Sequence, residues 1–170
     1  MINNKLVLII AILAIATLTL AYANMKTMNN PGMEDGTITF VWSDETASLN
    51  FEEITALENH QFKATEDTST SGPKSRKYRG VLLKDLLNKA DIDDSALKSA
   101  SKVLVKGLDG YVIAMSVDEA LSDHVYLAFE KDGKPLGTLK KGGSGPFQLI
   151  IVKDSFSQRW CKYVFEVTIE

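Results

Sequence analysis

The chain has 170 residues, 45% of them hydrophobic, and a formal net charge of -3 at pH 7. That is enough apolar material for one domain with a real core and too little for two comfortable ones, and a mildly acidic balance excludes general nucleic-acid binding, which needs a basic footprint. Cys161 is the single cysteine, so no intrachain disulfide can form and stability must come from the core.

The N-terminus reads as a targeting segment. Lys5 precedes an apolar run from Leu6 to Leu20, which ends in Ala21-Tyr22-Ala23 and fits the small-x-small rule for signal cleavage. The run is long for a signal core and slightly short for a spanning helix. Residues 1–23 therefore read as a secretory signal peptide or an uncleaved N-terminal membrane anchor. Either way the remainder is expected to be exported, periplasmic or extracellular, soluble after cleavage or tethered. Residues 24–36 (NMKTMNNPGMEDG) are polar and aperiodic and read as a linker. The folded domain is expected over 37–170.

Within it, Thr37 to Trp42 alternates β-branched and aromatic residues, a strand pattern. Asn50, with Glu53 three residues on, reads as the N-cap of a short helix through Leu57. Gln61 to Ala64 suits a strand leading into a hydroxyl-rich polar loop, Thr65 to Gly72. Leu82, Leu83, Leu86, Leu87 and Ala90 make one apolar helical stripe, and a second short helix starts near Asp93 or Asp94. Lys102 to Lys106 and Tyr111 to Met115 read as a hairpin about Asp109-Gly110. Val117 to Leu121 suits one helical turn, and His124 to Phe129 a strand closed by the turn Asp132-Gly133. Phe147 to Val152 is an apolar strand. In the last strand Cys161, Tyr163, Phe165, Val167 and Ile169 take one face by strict alternation. Many short strands with a few short helices predict a mainly-β α+β domain.

Little of this carries chemistry. Cys161 reads as a small core residue. His60 and His124 have no spaced partners for a zinc site, and neither a nucleophile elbow nor a phosphate loop of Walker spacing is present. One feature stands out. A lysine pair (Lys140, Lys141) runs into a glycine loop (Gly142, Gly143, Ser144, Gly145) and then the apolar strand. Such a loop can present backbone N–H groups to an anion. Lys131, Lys134 and Lys153 add positive charge, with only Asp132 and Asp154 against it. This patch would attract an anionic ligand, or it keeps a sheet edge from pairing with other chains.

The order of these motifs resembles the molybdopterin-binding domain of the sulfite oxidase superfamily. Tyr78-Arg79-Gly80-Val81-Leu82-Leu83-Lys84-Asp85-Leu86-Leu87 is similar to that family's aromatic-x-G-V helix start. Asp109-Gly110-Tyr111 with Val117-Asp118-Glu119-Ala120 is similar to its D-G-Y block. Asp132-Gly133-Lys134-Pro135-Leu136, Gly145-Pro146-Phe147-Gln148-Leu149-Ile150-Ile151-Val152 and Arg159-Trp160 are similar to its later blocks. The resemblance implies the mixed sulfite-oxidase fold. It does not carry the chemistry over. The family's enzymes ligate molybdenum through a cysteine before the aromatic-x-G-V block, where this chain offers Thr65, Thr68, Ser69, Thr70 and Ser71, poor replacements for a soft thiolate. Gln148 stands where the family has a phosphate-gripping arginine and cannot make its bidentate contact.

The expectation is an exported, non-catalytic binding or interaction module. It would take a small anionic ligand or an envelope partner protein in a cleft of Thr65, Thr68, Ser69, Thr70, Ser71, Lys140, Lys141, Gly142, Gly143, Ser144 and Gln148. No cofactor is expected, and the membrane is met only through the N-terminal segment. The alternative is a molybdopterin-dependent oxidoreductase, or its redox subunit, with a non-thiolate metal site. A structural envelope protein is the second alternative.

Overall fold

The structure is a computed structural model that describes residues 10, 12–20, 35–68 and 72–170. It falls into two units, Met1–Pro31 and Gly32–Glu170. In the first, residues 10 and 12–20 are helical. The side chains of Ile12, Leu13, Ile15, Leu18 and Leu20 are exposed there. The Thr17 and Thr19 hydroxyls donate back to the Leu13 and Ile15 carbonyls, which satisfies them within an apolar run. No helix among the described residues is long and apolar enough to cross a membrane. The cleavage motif Ala21-Tyr22-Ala23 and residues 24–34 of the linker lie outside the described residues.

The second unit packs two five-stranded sheets around one core. The first sheet has the order β2-β1-β10-β5-β6, built from β1 (Ile38–Trp42), β2 (Glu45–Leu49), β5 (Val103–Gly107), β6 (Val112–Met115) and β10 (Val164–Ile169). All its pairs are antiparallel except β1 with β10. The second sheet has the order β3-β4-β7-β8, with β9 also pairing β7. Its strands are β3 (His60–Thr68), β4 (Gly72–Leu82), β7 (Val125–Lys131), β8 (Lys134–Pro135) and β9 (Gln148–Ile151). The architecture is the strand-rich α+β one expected.

Four short helices connect the strands. Helix α1 (Phe51–Thr55) has the expected capping box: Asn50 accepts from the Glu53 amide at 3.0 Å, and Glu53 accepts from the Asn50 amide at 2.8 Å. Helix α2 (Leu83–Lys89) buries Leu83, Leu86 and Leu87 completely, each worth about 1.5–3 kcal/mol of transfer free energy. Helices α3 (Asp94–Ser99) and α4 (Val117–Ala120) are capped by Asp93 and Ser116. At Asp132-Gly133 both residues have positive φ, 51° and 77°, the turn that matches strand twist in a two-residue hairpin.

Two expectations need correction, and one strand has no counterpart in the sequence reading. The stretch Thr65 to Gly72 is not a loop between short elements. Thr65 and Thr68 lie in β3, which pairs β4 in unbroken register from His60↔Gly80 to Thr68↔Gly72, so 65–68 and Gly72 belong to paired strands. Their charged cross-strand partners, such as Glu66 with Lys74, carry the ladder where apolar alternation is absent. Ser69, Thr70 and Ser71 lie outside the described residues. The strand without a counterpart is β2, which has no apolar signal; only Leu49 of its five residues is buried, and its pairing with β1 defines it. The second correction is that the last strand does not alternate strictly. Tyr163 has φ 55°, and the β10–β5 register shifts between Val164 and Glu166. The extra residue is a bulge that changes phase: Val164 and Val167 are buried, while Phe165 is only half-buried.

Candidate functional site

The two faces of the second sheet differ. Its inner face supplies Val81, Leu127, Phe129, Leu149 and Ile151 to the main core, together with Phe40, Val105 and Val167 of the first sheet. Its outer face carries a separate cluster of Ala64, Tyr78, Ala128 and Ile150, with Leu136 and Trp160 laid over it. The Trp160 indole meets Tyr78 edge-on at 5.8 Å and donates to the Ile151 carbonyl at 3.3 Å.

Polar atoms are left over on this outer face. Three buried side-chain atoms have no hydrogen-bond partner among the described residues: Gln148 Oε1, the Tyr78 hydroxyl and Arg76 Nε. All three belong to it. Gln148 pairs Ala128 across β9–β7, and Arg76 is two residues from Tyr78 along β4. Gln148 is only 2% exposed. Beside them runs an ionic network. Lys131 Nζ donates to Glu66 Oε1 at 3.1 Å, Arg76 Nη1 donates to Asp132 Oδ2 at 3.2 Å, and Arg76 Nε lies 3.6 Å from Glu66 Oε2. The Tyr78 hydroxyl is pushed well above its usual range, first by burial and then by the Glu66 and Asp132 carboxylates, with Arg76 opposing.

The glycine loop is organised differently from its sequence reading. Leu139–Lys141 forms one 3-10 turn, with Lys140 and Lys141 exposed, and Gly142 ends it at φ 68°. The Gly142, Gly143, Ser144 and Gly145 amides donate to the carbonyls of Leu139, Thr138, Leu136 and Gly137 in turn. These N–H groups are committed to the loop itself, so no backbone cradle faces an anion. A Cβ on Gly143 would sit 2.2 Å from the Leu136 carbonyl oxygen, so the residue type is dictated by close backbone approach. Tyr163 fastens the loop from below: its amide donates to the Ser144 carbonyl at 3.1 Å and its hydroxyl to the Gly143 carbonyl at 2.6 Å.

Those of the expected cleft residues that are described are spread over the second sheet and the glycine loop. Gln148 sits on the outer face. Thr65 shares its phase with Lys63 and points to the opposite side from Ala64. β3 also lies three strands from β9, about 14 Å. Lys131, part of the expected basic patch, is neutralised by Glu66. Arg159 is bound by both Glu119 and Asp154. Sequence reasoning missed Tyr78, Arg76 and Glu66. The period-2 spacing of Arg76, Tyr78 and Gly80 was the available signal.

The thiol is remote from all of this. Cys161 is fully buried in the main core. Its Sγ lies 3.6 Å from the Lys162 carbonyl oxygen and 3.8 Å from that of Tyr111. Burial, then the Asp109 carboxylate, pushes its pKa up to about 12. Among the described residues no group of three or more His, Cys, Asp or Glu could hold a metal ion. The described part of the β3–β4 hairpin offers hydroxyls, carboxylates and amines, hard donors ill-suited to a thiolate-type site. The residues present do not fit the metal end of a molybdopterin group.

A family model, the oxidoreductase molybdopterin binding domain, matches residues 40–170. Among solved structures, the sulfane dehydrogenase SoxCD from Paracoccus pantotrophus is similar in fold, with a TM-score of 0.65 at 18% identity. The match covers 81% of this chain and 38% of that one. No curated protein matches.

Proposed function

Because the chain belongs to the oxidoreductase molybdopterin-binding domain family while its one thiol is sealed in the core, we propose that it is an exported, non-catalytic binding or interaction module on that fold. One observation carries this reading: Cys161 is bridged to Leu149 of β9 and fully buried in the main core between the two sheets, so its thiol is closed off from a ligand on the outer face. What remains available is the outer face with its unpaired Gln148 and Tyr78 atoms and the exposed Lys141 of the 3-10 turn. A small anionic ligand or an envelope partner protein is the class of ligand these groups suit. The apolar N-terminal stretch supports export of the domain.

The family match itself favours a second reading, a molybdopterin-dependent oxidoreductase or its redox subunit with a non-thiolate metal site. One measurement separates the two. Protein purified from its native host is assayed for molybdenum by mass spectrometry and for pterin by fluorescence after oxidation. Neither is expected in stoichiometric amount; one of each per chain would overturn the first reading and establish the second.

A further inference from the structure

β3 forms one edge of the second sheet, and part of that edge is closed by the protein itself. At Asp67 the amide donates to Ser157 Oγ at 3.0 Å, and Ser157 Oγ donates to the Asp67 carbonyl at 2.9 Å. An antiparallel strand directs the backbone groups of alternate residues to the same side. With no register shift in β3–β4, Thr65, Lys63 and Gln61 therefore turn their amides and carbonyls outward as Asp67 does. Pro73 stands opposite Asp67, which agrees: a residue without an N–H sits where the ladder needs none. Among the described residues nothing pairs with the main chain of Gln61, Lys63 or Thr65 on that side.

The charge beside this open edge selects the partner. Gln61, Lys63, Lys77, Arg79 and Glu130 line a groove of about 530 Å³. Arg79 is accounted for, by Glu130 at 3.7 Å and by a 2.7 Å bond to Asn59 Oδ1. Lys63 and Lys77 stand directly opposite each other across β3–β4 and make no ion pair among the described residues. Like charges so placed weaken a ladder, and a carboxylate set against Lys63 relieves it. On the other side of the strand Phe62 is half-buried and stacks on Tyr126 at 4.1 Å, which suits an apolar neighbour.

We propose that β3 is the docking edge for an extended acidic segment of a partner protein, which adds to the sheet as a further strand and sets a carboxylate against Lys63, on the face that Lys63 shares with Lys77. A second copy of this chain fits less well. Pairing about a two-fold axis at Lys63 would oppose Lys63 to itself, and pairing about Thr65 would use Asp67, whose edge Ser157 already fills. Main-chain bonds supply the attachment and the lysines its selectivity, the division of labour general to strand addition. This inference deepens the reading of the chain as an interaction module by naming the class of partner. It neither needs nor excludes a cofactor.

The test uses the full chain and a synthetic peptide alternating glutamate with valine, beside its lysine-for-glutamate counterpart. Amide hydrogen exchange is followed by NMR. The acidic peptide should slow exchange at Gln61, Lys63 and Thr65 by about tenfold or more while leaving the already paired Phe62 and Ala64 unchanged; the lysine peptide should do neither. Thr65→Pro removes an outward amide without breaking the β4 ladder and should weaken peptide binding by about tenfold, as expected for one lost main-chain bond. Lys63→Glu should reverse the preference between the two peptides. Unchanged exchange in the wild-type protein, equal binding of both peptides, or protection that appears without peptide through self-association would each overturn the proposal. The metal assay is independent: cofactor-free protein that ignores the peptide loses the docking edge alone, and cofactor-loaded protein that binds it keeps the edge alone.

Discussion

Gln148 and Leu149 are neighbours on β9, both buried, and they face opposite ways. Leu149 enters the main core at 0% exposed, while Gln148, at 2%, lies beneath the outer face with Oε1 unpartnered. The inner face of the sheet leaves no buried side-chain polar atom without a hydrogen bond among the described residues; the outer face leaves Gln148 Oε1 and the Tyr78 hydroxyl, while Arg76 Nε has only its ion pair to Glu66. An unmet buried polar group costs about 1–3 kcal/mol, too much to recur on one face of a domain without an exchangeable partner such as water or a ligand. The inner face is built for stability and the outer face gives some of it up, a pattern that belongs to functional surfaces.

Substitutions at these two neighbours bear on that contrast directly. Leu149→Ala should cost about 2–5 kcal/mol, the price of a cavity in a closed core, read as a lower urea midpoint at unchanged m value. Gln148→Leu, similar in volume, should act in the opposite direction and stabilise the unliganded protein by about 1–2 kcal/mol, because it removes an unpaired oxygen rather than an interaction. If Gln148→Leu destabilises as Leu149→Ala does, the glutamine is already satisfied and the two faces are equivalent.

The inner face was legible in the sequence because it obeys period. The stripe Leu83, Leu86, Leu87 and the run Leu149 to Ile151 are where pattern and burial agree. The capping box at Asn50 and the turns at Asp109-Gly110 and Asp132-Gly133 were legible because each has a local chemical cause. The outer face was not. The β3–β4 hairpin is held by charged cross-strand neighbours that look like a solvated loop when taken one strand at a time. The glycine loop invites an anion until its amides are traced to their acceptors, which lie three to eight residues back along the chain. The bulge in β10 moves Phe165 out of phase, and that is set by pairing with β5, which no local pattern encodes.

The two faces also carry the two groups whose titration burial perturbs most clearly, and pH separates them. In Cys161, on the core side, the folded pKa is about 12 against an ordinary 9.0. Above pH 9 the unfolded chain loses this proton and the folded chain keeps it. The unfolded state then binds fewer protons, so stability is fully present below pH 9 and falls as pH rises toward 12, by up to about 1.4 kcal/mol per pH unit. Tyr78, on the outer face, is also raised, but from an ordinary 10.0, so its contribution to the slope begins about one unit higher. Urea midpoints at pH 8, 9, 10 and 11 for the wild type, Cys161→Ala and Tyr78→Phe resolve the pair. Cys161→Ala should lose a constant increment at pH 8, from the smaller side chain, and should flatten the segment between pH 9 and 10. Tyr78→Phe should leave that segment intact and flatten the part above pH 10. Equal slopes between pH 9 and 10 in the wild type and Cys161→Ala would mean that the thiol ionises freely in the folded protein, which a side chain sealed between the two sheets cannot do.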